Sequence, residues 1–196
     1  MPGAPFSDPH GAAEEAAPAR AYAGIGSRQT PPDVLALMQG LAGRLAGESW
    51  VLRTGLSPGA DQAFYTGAIL SGGEIELYLP CPGFEADARL DGHGASVWEL
   101  SQPTPAAHEL ARRFHPDWDA LELPARLLLA RDAHEVLGPD LQSPADLVVC
   151  WTADGTLDGR DLYADGTGQA LRIAHRHGVT VLNLARGDHA GALGLR

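Results

Sequence analysis

Lysine is absent from the 196 residues of this chain, so its 14 basic residues are all arginine. The chain also contains 25 acidic residues, so its formal net charge at pH 7 is −11. That charge argues against strong non-specific nucleic-acid binding, which depends on basic side chains that neutralise phosphates. It leaves room for a local basic pocket, because arginine forks onto phosphate oxygens. A GC-rich genome would explain the arginine bias equally well.

Long hydrophobic runs are also missing. No apolar run approaches the roughly 20 residues that span a bilayer, and the N-terminus lacks a basic start followed by an apolar stretch. We therefore expect no membrane span and no secretory signal. The two cysteines, Cys81 and Cys150, lie in apolar surroundings and are expected to be buried free thiols, which fits a cytoplasmic location. Apolar residues make up 44% of the chain, enough for a globular domain.

Motifs of metal sites and of common nucleophiles are lacking as well. The eight histidines are scattered, and His175 and His177 are two apart, so they do not share a helix face. No C-x-x-C, H-E-x-x-H or G-x-S-x-G spacing is present. Ser27 has no identifiable partner base. We therefore expect no metal and no cofactor other than a nucleotide or another phosphate-bearing ligand, and we assign no catalytic residue.

Apolar strand-like segments alternate with helical patterns along the chain. This alternation predicts a parallel sheet with right-handed crossovers. The fold class is therefore α/β: a Rossmann-like three-layer α/β/α sandwich with a mainly parallel sheet of about five strands, in the order 3-2-1-4-5. The predicted strands are Ala21–Ile25, Trp50–Thr54, Ile75–Leu79, Ala145–Trp151 and Val179–Leu184.

Composition divides the chain into three parts. Residues 1–19 are rich in Ala, Pro and Gly and are expected to form a flexible leader. Residues 20–186 are expected to form one Rossmann-like domain, and residues 187–196 a loosely held tail. Within the domain, residues 84–143 are predicted to be a helical insertion, because the helical patterns at 106–114 and 124–136 lie there.

Three glycine-containing turns follow strands or open helices, and they are the candidate binding site. The carboxyl ends of parallel strands meet at one edge of the sheet, so these turns should converge beside strands one and four. Backbone N–H groups at a turn or a helix start favour anions. Candidate phosphate-binding residues are Gly24, Gly26, Ser27 and Arg28 in the first turn, Gly55, Gly59, Ala60 and Asp61 in the second, and Gly166, Thr167 and Gly168 in the third.

Each of these features also has a purely structural explanation. Arg28 would then be solvated or paired with an acid, and Asp61 would stabilise the dipole of the helix that it begins. Thr30 is predicted to be the N-cap of the first long helix. The pair Arg131–Asp132 either reaches the crevice or forms an ordinary charge pair at a helix end. The four tryptophans are expected to pack, with base stacking as an alternative for Trp118 or Trp151.

These motifs resemble a known family. The run Ala23–Arg28, followed by Arg53–Gly55 and Gly59–Phe64, is similar to the Rossmann-like domain of DprA (DNA-processing protein A, also called Smf) in the SLOG superfamily. Thr54 stands where that family has serine, and residues 56–58 depart from its usual spacer. Gly166–Ala170 resembles the start of the family's last helix. The resemblance covers roughly residues 21–80 and 145–185, and it extends to phage-borne DprA-like chains of unassigned role.

The resemblance implies several functions. SLOG members bind nucleotides or nucleotide-derived ligands. DprA holds single-stranded DNA and passes it to a recombinase. Because SLOG members pair through helices, the resemblance also implies a homodimer. The LOG branch hydrolyses nucleoside monophosphates through P-G-G-x-G-T-x-x-E, but Asp165 and Ala170 replace a glycine and the catalytic glutamate of that motif.

Four hypotheses follow from these patterns. The first is non-catalytic binding of a nucleotide or nucleic-acid phosphate. The second is a recombination mediator that binds single-stranded DNA, and the third is a phosphoribohydrolase that uses Asp61 or an acid within residues 154–165. The fourth is a structural interaction protein, which predicts no pocket between strands one and four.

Overall fold

The computed structural model describes residues 20–92, 94–160 and 166–193 as an α/β fold with one parallel sheet. The sheet has six strands in the order β4-β3-β2-β1-β5-β6. The strands are β1 (Ala21–Gly24), β2 (Val51–Thr54), β3 (Glu74–Tyr78), β4 (Ser96–Leu100), β5 (Leu147–Cys150) and β6 (Thr180–Asn183). The helices are α1 (Pro32–Gly47), α2 (Ala60–Leu70), α3 (Pro105–Phe114), α4 (Leu123–Leu137), α5 (Gly166–Arg176) and α6 (Gly187–Ala192).

Two hydrophobic cores cover the two faces of the sheet and make three layers. Helices α1 and α2 pack on one face, and α3, α4 and α5 pack on the other. Neighbouring strand residues point to opposite faces of the sheet. In β1, Tyr22 packs in the first core and Ala23 in the second, and in β5, Val149 packs in the first core and Val148 in the second. Strands buried on both faces explain why the central segments are apolar without alternation. The predicted fold class is confirmed.

The predicted number of strands is wrong, because the sheet has a sixth strand, β4, at its edge. This strand pairs with β3 over its whole length, Ser96 with Glu74 through Leu100 with Tyr78. It lies within residues 84–143, together with α3 and α4, where the sequence predicted only helices. Its first three residues are exposed, so β4 lacks the apolar run by which the central strands were recognised.

Two smaller predictions are also corrected. Pro31, not Thr30, is the N-cap residue of α1. Thr30 instead closes the preceding turn, since its hydroxyl and its backbone N–H both donate to the carbonyl of Ser27, at 2.7 and 3.2 Å. Cys81 is exposed, whereas Cys150 is buried as expected. Residues 187–192 of the expected tail form the short helix α6.

The leader predicted at residues 1–19 lies outside the described residues. Within the part of the chain that the structure describes, no helix is long and apolar enough to cross a membrane.

Candidate functional site

A cavity of about 410 Å³ opens where the strand order reverses, beside the carboxyl ends of β1 and β5. The two strands pair in parallel, and their pairing continues beyond them: Ile25 N–H donates to the Val149 carbonyl at 3.1 Å, and Ser27 N–H to the Trp151 carbonyl at 3.4 Å. The turn after β1 therefore lies directly against the segment after β5. This is the topological switch point at which open α/β sheets bind ligands.

Three kinds of surface enclose the cavity. Its mouth is the turn Gly26–Gln29, in which Arg28 and Gln29 are exposed. One wall is apolar. We call the buried polar part of the lining the charged floor. The wall consists of Ile25, Leu121, Ala125, Leu128, Leu129 and Ala170, and the charged floor consists of Ser57, Asp61, Arg131, Asp132 and Glu135.

Arg131 is the centre of the charged floor. Its Nη1 donates to Oδ2 of Asp61 at 3.1 Å and to Oε1 of Glu135 at 2.6 Å, and its Nη2 donates to Oγ of Ser57 at 2.9 Å. Its Nε lies 3.3 Å from Oδ1 of Asp132. The side chains of all four charged residues are at most 6% exposed. Nη1 and Nη2 therefore donate hydrogen bonds to the protein, whereas Nε lies in an ion pair with Asp132 without forming a hydrogen bond.

Two features of the sequence place Arg131 there. On α4, Arg131 and Asp132 follow Leu128 by three and four residues, and Glu135 follows them by four and three, so these four residues form one stripe that lines the cavity. The loop after β2 receives the guanidinium at Gly55. A Cβ at Gly55 would occupy the position of Nη1 of Arg131 and would lie 2.5 Å from Oε1 of Glu135. Only glycine leaves room for the arginine.

The charges of the floor do not balance, since three carboxyl groups surround one guanidinium. Burial raises the pKa of Glu135 well above its usual range, and the neighbouring Asp61 and Asp132 raise it further against the opposing pull of Arg131. Burial also raises the pKa of Asp61, although Arg131 and the Ser57 N–H favour its ionised form. The three carboxyl groups keep Arg131 charged despite its burial. Of Asp61 and Glu135, Glu135 has the pKa that is raised further, so it holds a proton more strongly than Asp61 does.

The mouth of the cavity carries a positive charge, whereas carboxyl groups outnumber the guanidinium on the charged floor. Ser27 Oγ accepts from the Gln29 N–H at 3.1 Å, which holds the turn in shape. A Cβ on Gly26 would lie 2.7 Å from Cβ of Ala60 and 3.3 Å from N of Trp151, so the turn is tightly packed from behind. Among the described residues, none forms a hydrogen bond or ion pair with the Arg28 side chain. Arg28 is thus a cation at the entrance of the cavity.

The structure divides the predicted site residues into two groups. Six line the cavity and five lie behind it. The lining residues are Gly26, Ser27, Arg28, Asp61, Gly166 and Thr167. The residues outside the lining are Gly24, Gly55, Gly59, Ala60 and Gly168.

Packing accounts for the positions of this second group. A Cβ on Gly24 would lie 2.6 Å from the Phe64 ring, and Ala60 is fully buried. Gly59 has φ +93°, and a Cβ there would lie 2.9 Å from the Ser27 carbonyl oxygen. Gly168 is buried within α5.

Sequence patterns identified Asp61 of the charged floor as a candidate site residue and left two interpretations open for Arg131–Asp132. The pair Arg131–Asp132 does reach the crevice, which was one of its two interpretations. Ser57, Glu135 and the buried His115 also line the cavity and were not predicted. The one signal for Glu135 is its spacing from Arg131 and Asp132 on α4, which resembles that of a solvated helix face, and Ser57 and His115 have no such signal. Neither Trp118 nor Trp151 lines the cavity.

The floor has the composition of a cation site but already contains its cation. The guanidinium of Arg131 occupies the centre of the three carboxyl groups. Across residues 20–92, 94–160 and 166–193, no group of three or more His, Cys, Asp or Glu side chains is arranged to hold a metal ion. The arrangement instead places buried hydrogen-bond acceptors in the cavity and the exposed guanidinium of Arg28 at its mouth.

Comparisons with known proteins show the fold. No family model and no curated protein sequence matches the chain. DNA processing protein A from Helicobacter pylori, which binds single-stranded DNA, matches with a TM-score of 0.54 at 17% identity, over 84% of this chain and 64% of that one. The chain therefore spans about two thirds of the length of that protein.

Two further solved structures match less well. A Moco carrier protein from Chlamydomonas rheinhardtii has a TM-score of 0.47 at 15% identity, over 84% of this chain and 75% of that one. DprA from Streptococcus pneumoniae has a TM-score of 0.38 at 18% identity, over 89% and 61%. The first of the three matches carries the conclusion: this chain has the fold of DNA processing protein A.

Proposed function

We propose that the protein binds a nucleotide or a nucleic-acid end through a phosphate group at the mouth of the cavity. One observation carries this proposal: the turn Gly26–Gln29 presents the exposed guanidinium of Arg28 at the entrance of a cavity of about 410 Å³ at the switch point of the sheet. Arginine binds phosphate bidentately, and such charge-assisted bonds are the strong ones. The role is binding, and we assign no reaction to the site.

The start of α5 supports an anion at the same place. Gly166 and Thr167 are the first two residues of this eleven-residue helix, and both line the cavity. The N–H groups of a helix's first turn have no partner within the helix, and the helix dipole favours negative charge there. A phosphate beside Arg28 and this first turn would be attracted by both, and Oδ2 of Asp132, which lies 2.9 Å from where a Cβ on Gly166 would be, would limit how far it enters.

Isothermal titration calorimetry tests the proposal. The panel contains inorganic phosphate, nucleoside mono-, di- and triphosphates, and short oligonucleotides, with wild type, Arg28→Gln and the control Arg176→Gln. Arg176 is exposed at the opposite end of α5, so the control removes the same charge away from the cavity. A hydrogen bond to a charged group contributes about 1.5–3 kcal/mol, so Arg28→Gln should weaken binding by about tenfold or more.

Two results would contradict the proposal. One is the absence of binding across the whole panel. The other is equal binding by the two arginine variants, which would place the ligand away from Arg28.

A short single-stranded DNA end is the second candidate ligand. The likeness in fold to the H. pylori protein, which binds single-stranded DNA, favours it, and the net charge of −11 opposes it. A filter-binding assay separates it from a mononucleotide. DNA binding should strengthen with oligonucleotide length and weaken steeply with salt, whereas a site for one phosphate should not depend on length.

A further inference from the structure

We propose that the charged floor is a specificity determinant: it rejects a second phosphate and selects a ligand in which one phosphate is joined to a neutral, hydroxyl-bearing sugar. This inference rests on the proposed phosphate site at Arg28. A free sugar monophosphate and a nucleoside monophosphate share this chemistry, and the experiment below distinguishes them.

The first step concerns the two arginines of the cavity. Arg28 is exposed at the mouth, and none of the described side chains pairs with it. Arg131 is buried, and its three nitrogens face Ser57 and the three carboxyl groups at 2.6–3.3 Å. The guanidinium of Arg131 is therefore committed to the protein. The mouth holds one phosphate, and the floor provides no cation for another.

The second step concerns repulsion. A phosphate chain that extended inward from the mouth would approach the carboxyl groups of Asp61 and Asp132, both of which line the cavity and are 4% exposed. Like charges repel strongly where water is excluded, because the effective dielectric constant is low. Unpaired charge facing the wrong ligand is a recognised source of specificity. A di- or triphosphate therefore either stays outside or brings negative charge against the floor.

The third step concerns what the floor accepts. An ionised carboxylate only accepts hydrogen bonds, whereas a protonated carboxyl and the Ser57 hydroxyl can also donate. The floor thus presents acceptors together with donors. Sugar hydroxyls match it because each can donate and accept, whereas an ammonium group only donates.

The fourth step concerns size. The volume of about 410 Å³ lies near the lower end of the range of small-molecule sites, about 300–1,000 Å³. The apolar wall, which includes Leu121 and Leu128, can cover one flat face of a ligand. A single phosphorylated sugar, with or without a base against this wall, fits these dimensions.

The test is a calorimetric ranking with the wild-type protein, using inorganic phosphate, ribose 5-phosphate, AMP, ADP and ATP. We expect ribose 5-phosphate to bind about tenfold or more tighter than inorganic phosphate, and AMP about tenfold or more tighter than ADP and ATP. A much higher affinity for AMP than for ribose 5-phosphate identifies a nucleotide as the ligand, and equal affinities for the two identify a free sugar phosphate. Both of these results support the inference.

Asp132→Asn tests the residue itself, because it removes one charge from the floor and keeps the side chain's size. Circular dichroism verifies that it folds, and the preference for AMP over ADP should shrink several-fold. If the variant does not fold, the wild-type ranking still decides.

Two outcomes overturn the inference. Arg28-dependent binding of all five compounds with equal affinity, or tighter binding of ADP or ATP, would overturn the role of the floor while leaving the phosphate site intact. No binding of any compound would overturn both proposals.

Discussion

Gly55→Ala is the substitution that most directly tests the buried charge cluster. The added methyl group would occupy the position of Nη1 of Arg131 and lie 2.5 Å from Oε1 of Glu135. The guanidinium would have to leave, and Asp61 and Glu135 would lose the partner that they share. Removing one partner of a buried ion pair costs about 3–5 kcal/mol. That is a large part of the 5–15 kcal/mol that stabilises a typical domain.

Urea unfolding followed by circular dichroism measures this loss. Gly40→Ala is the matched control, since Gly40 is exposed on α1 and a Cβ there meets nothing within 4 Å. The control should stabilise the protein by up to about 1 kcal/mol, because alanine favours helix. A loss below about 1 kcal/mol for Gly55→Ala would refute the assigned position of Arg131.

A double-mutant cycle assigns the cause. In an Arg131→Ala background the guanidinium is gone, and the remaining 2.5 Å contact is with the end of the flexible Glu135 side chain, which can move, so Gly55→Ala should add less than about 0.5 kcal/mol of further loss. An undiminished loss in this background would mean that Gly55 is required for its backbone conformation instead.

Three further substitutions or reactions test other parts of the structure. In thermal unfolding, the stability of Glu135→Gln relative to wild type should increase as pH rises from 5 to 8. The pKa of Glu135 is higher in the folded than in the unfolded protein, so wild type loses stability as pH rises from the unfolded pKa through the folded pKa. Stability curves of the two proteins that run parallel over this pH range would contradict the prediction. Asn183→Ala should cost about 2 kcal/mol or more in urea unfolding, since the buried amide donates to Oγ1 of Thr152 at 2.7 Å, and a smaller loss would contradict that network. A thiol reagent should modify the exposed Cys81 in the folded protein, but Cys150 only after unfolding, because Cys150 is buried and burial raises its pKa. Two reactive thiols in the folded protein would contradict the burial of Cys150.

The central sheet could be predicted from the sequence because its signals are local. Strands such as Leu147–Cys150 are buried on both faces and are apolar throughout, and helices and glycine-containing turns separate them. Strand β4 contains Val97, Trp98 and Glu99 at an exposed edge, so neither an apolar run nor a clean alternation marked it. Pairing with β3, rather than a pattern in its own sequence, makes this segment a strand.

The charged floor could not be predicted because its contacts are distant in sequence. Arg131 bonds Asp61 and Ser57, which lie 70 and 74 residues away. All residues of α4 from Leu129 to Leu137 are buried, including Arg131, Asp132 and Glu135, so the helix has no polar face to reveal its orientation. Charges in such a helix suggest solvent exposure until their partners are known. For the same reason Gly55 was assigned to a ligand, although it accommodates a side chain of the protein itself.

Backbone amide chemical shifts measured during a titration with AMP test the central claim most directly. The proposed site predicts that the largest ¹H–¹⁵N shifts occur at Gly26, Ser27 and Arg28 and at Gly166 and Thr167, and that Arg28→Gln abolishes them at the same AMP concentration. Shifts confined to other surfaces, or none at saturating AMP, would contradict a phosphate site at the mouth of the cavity.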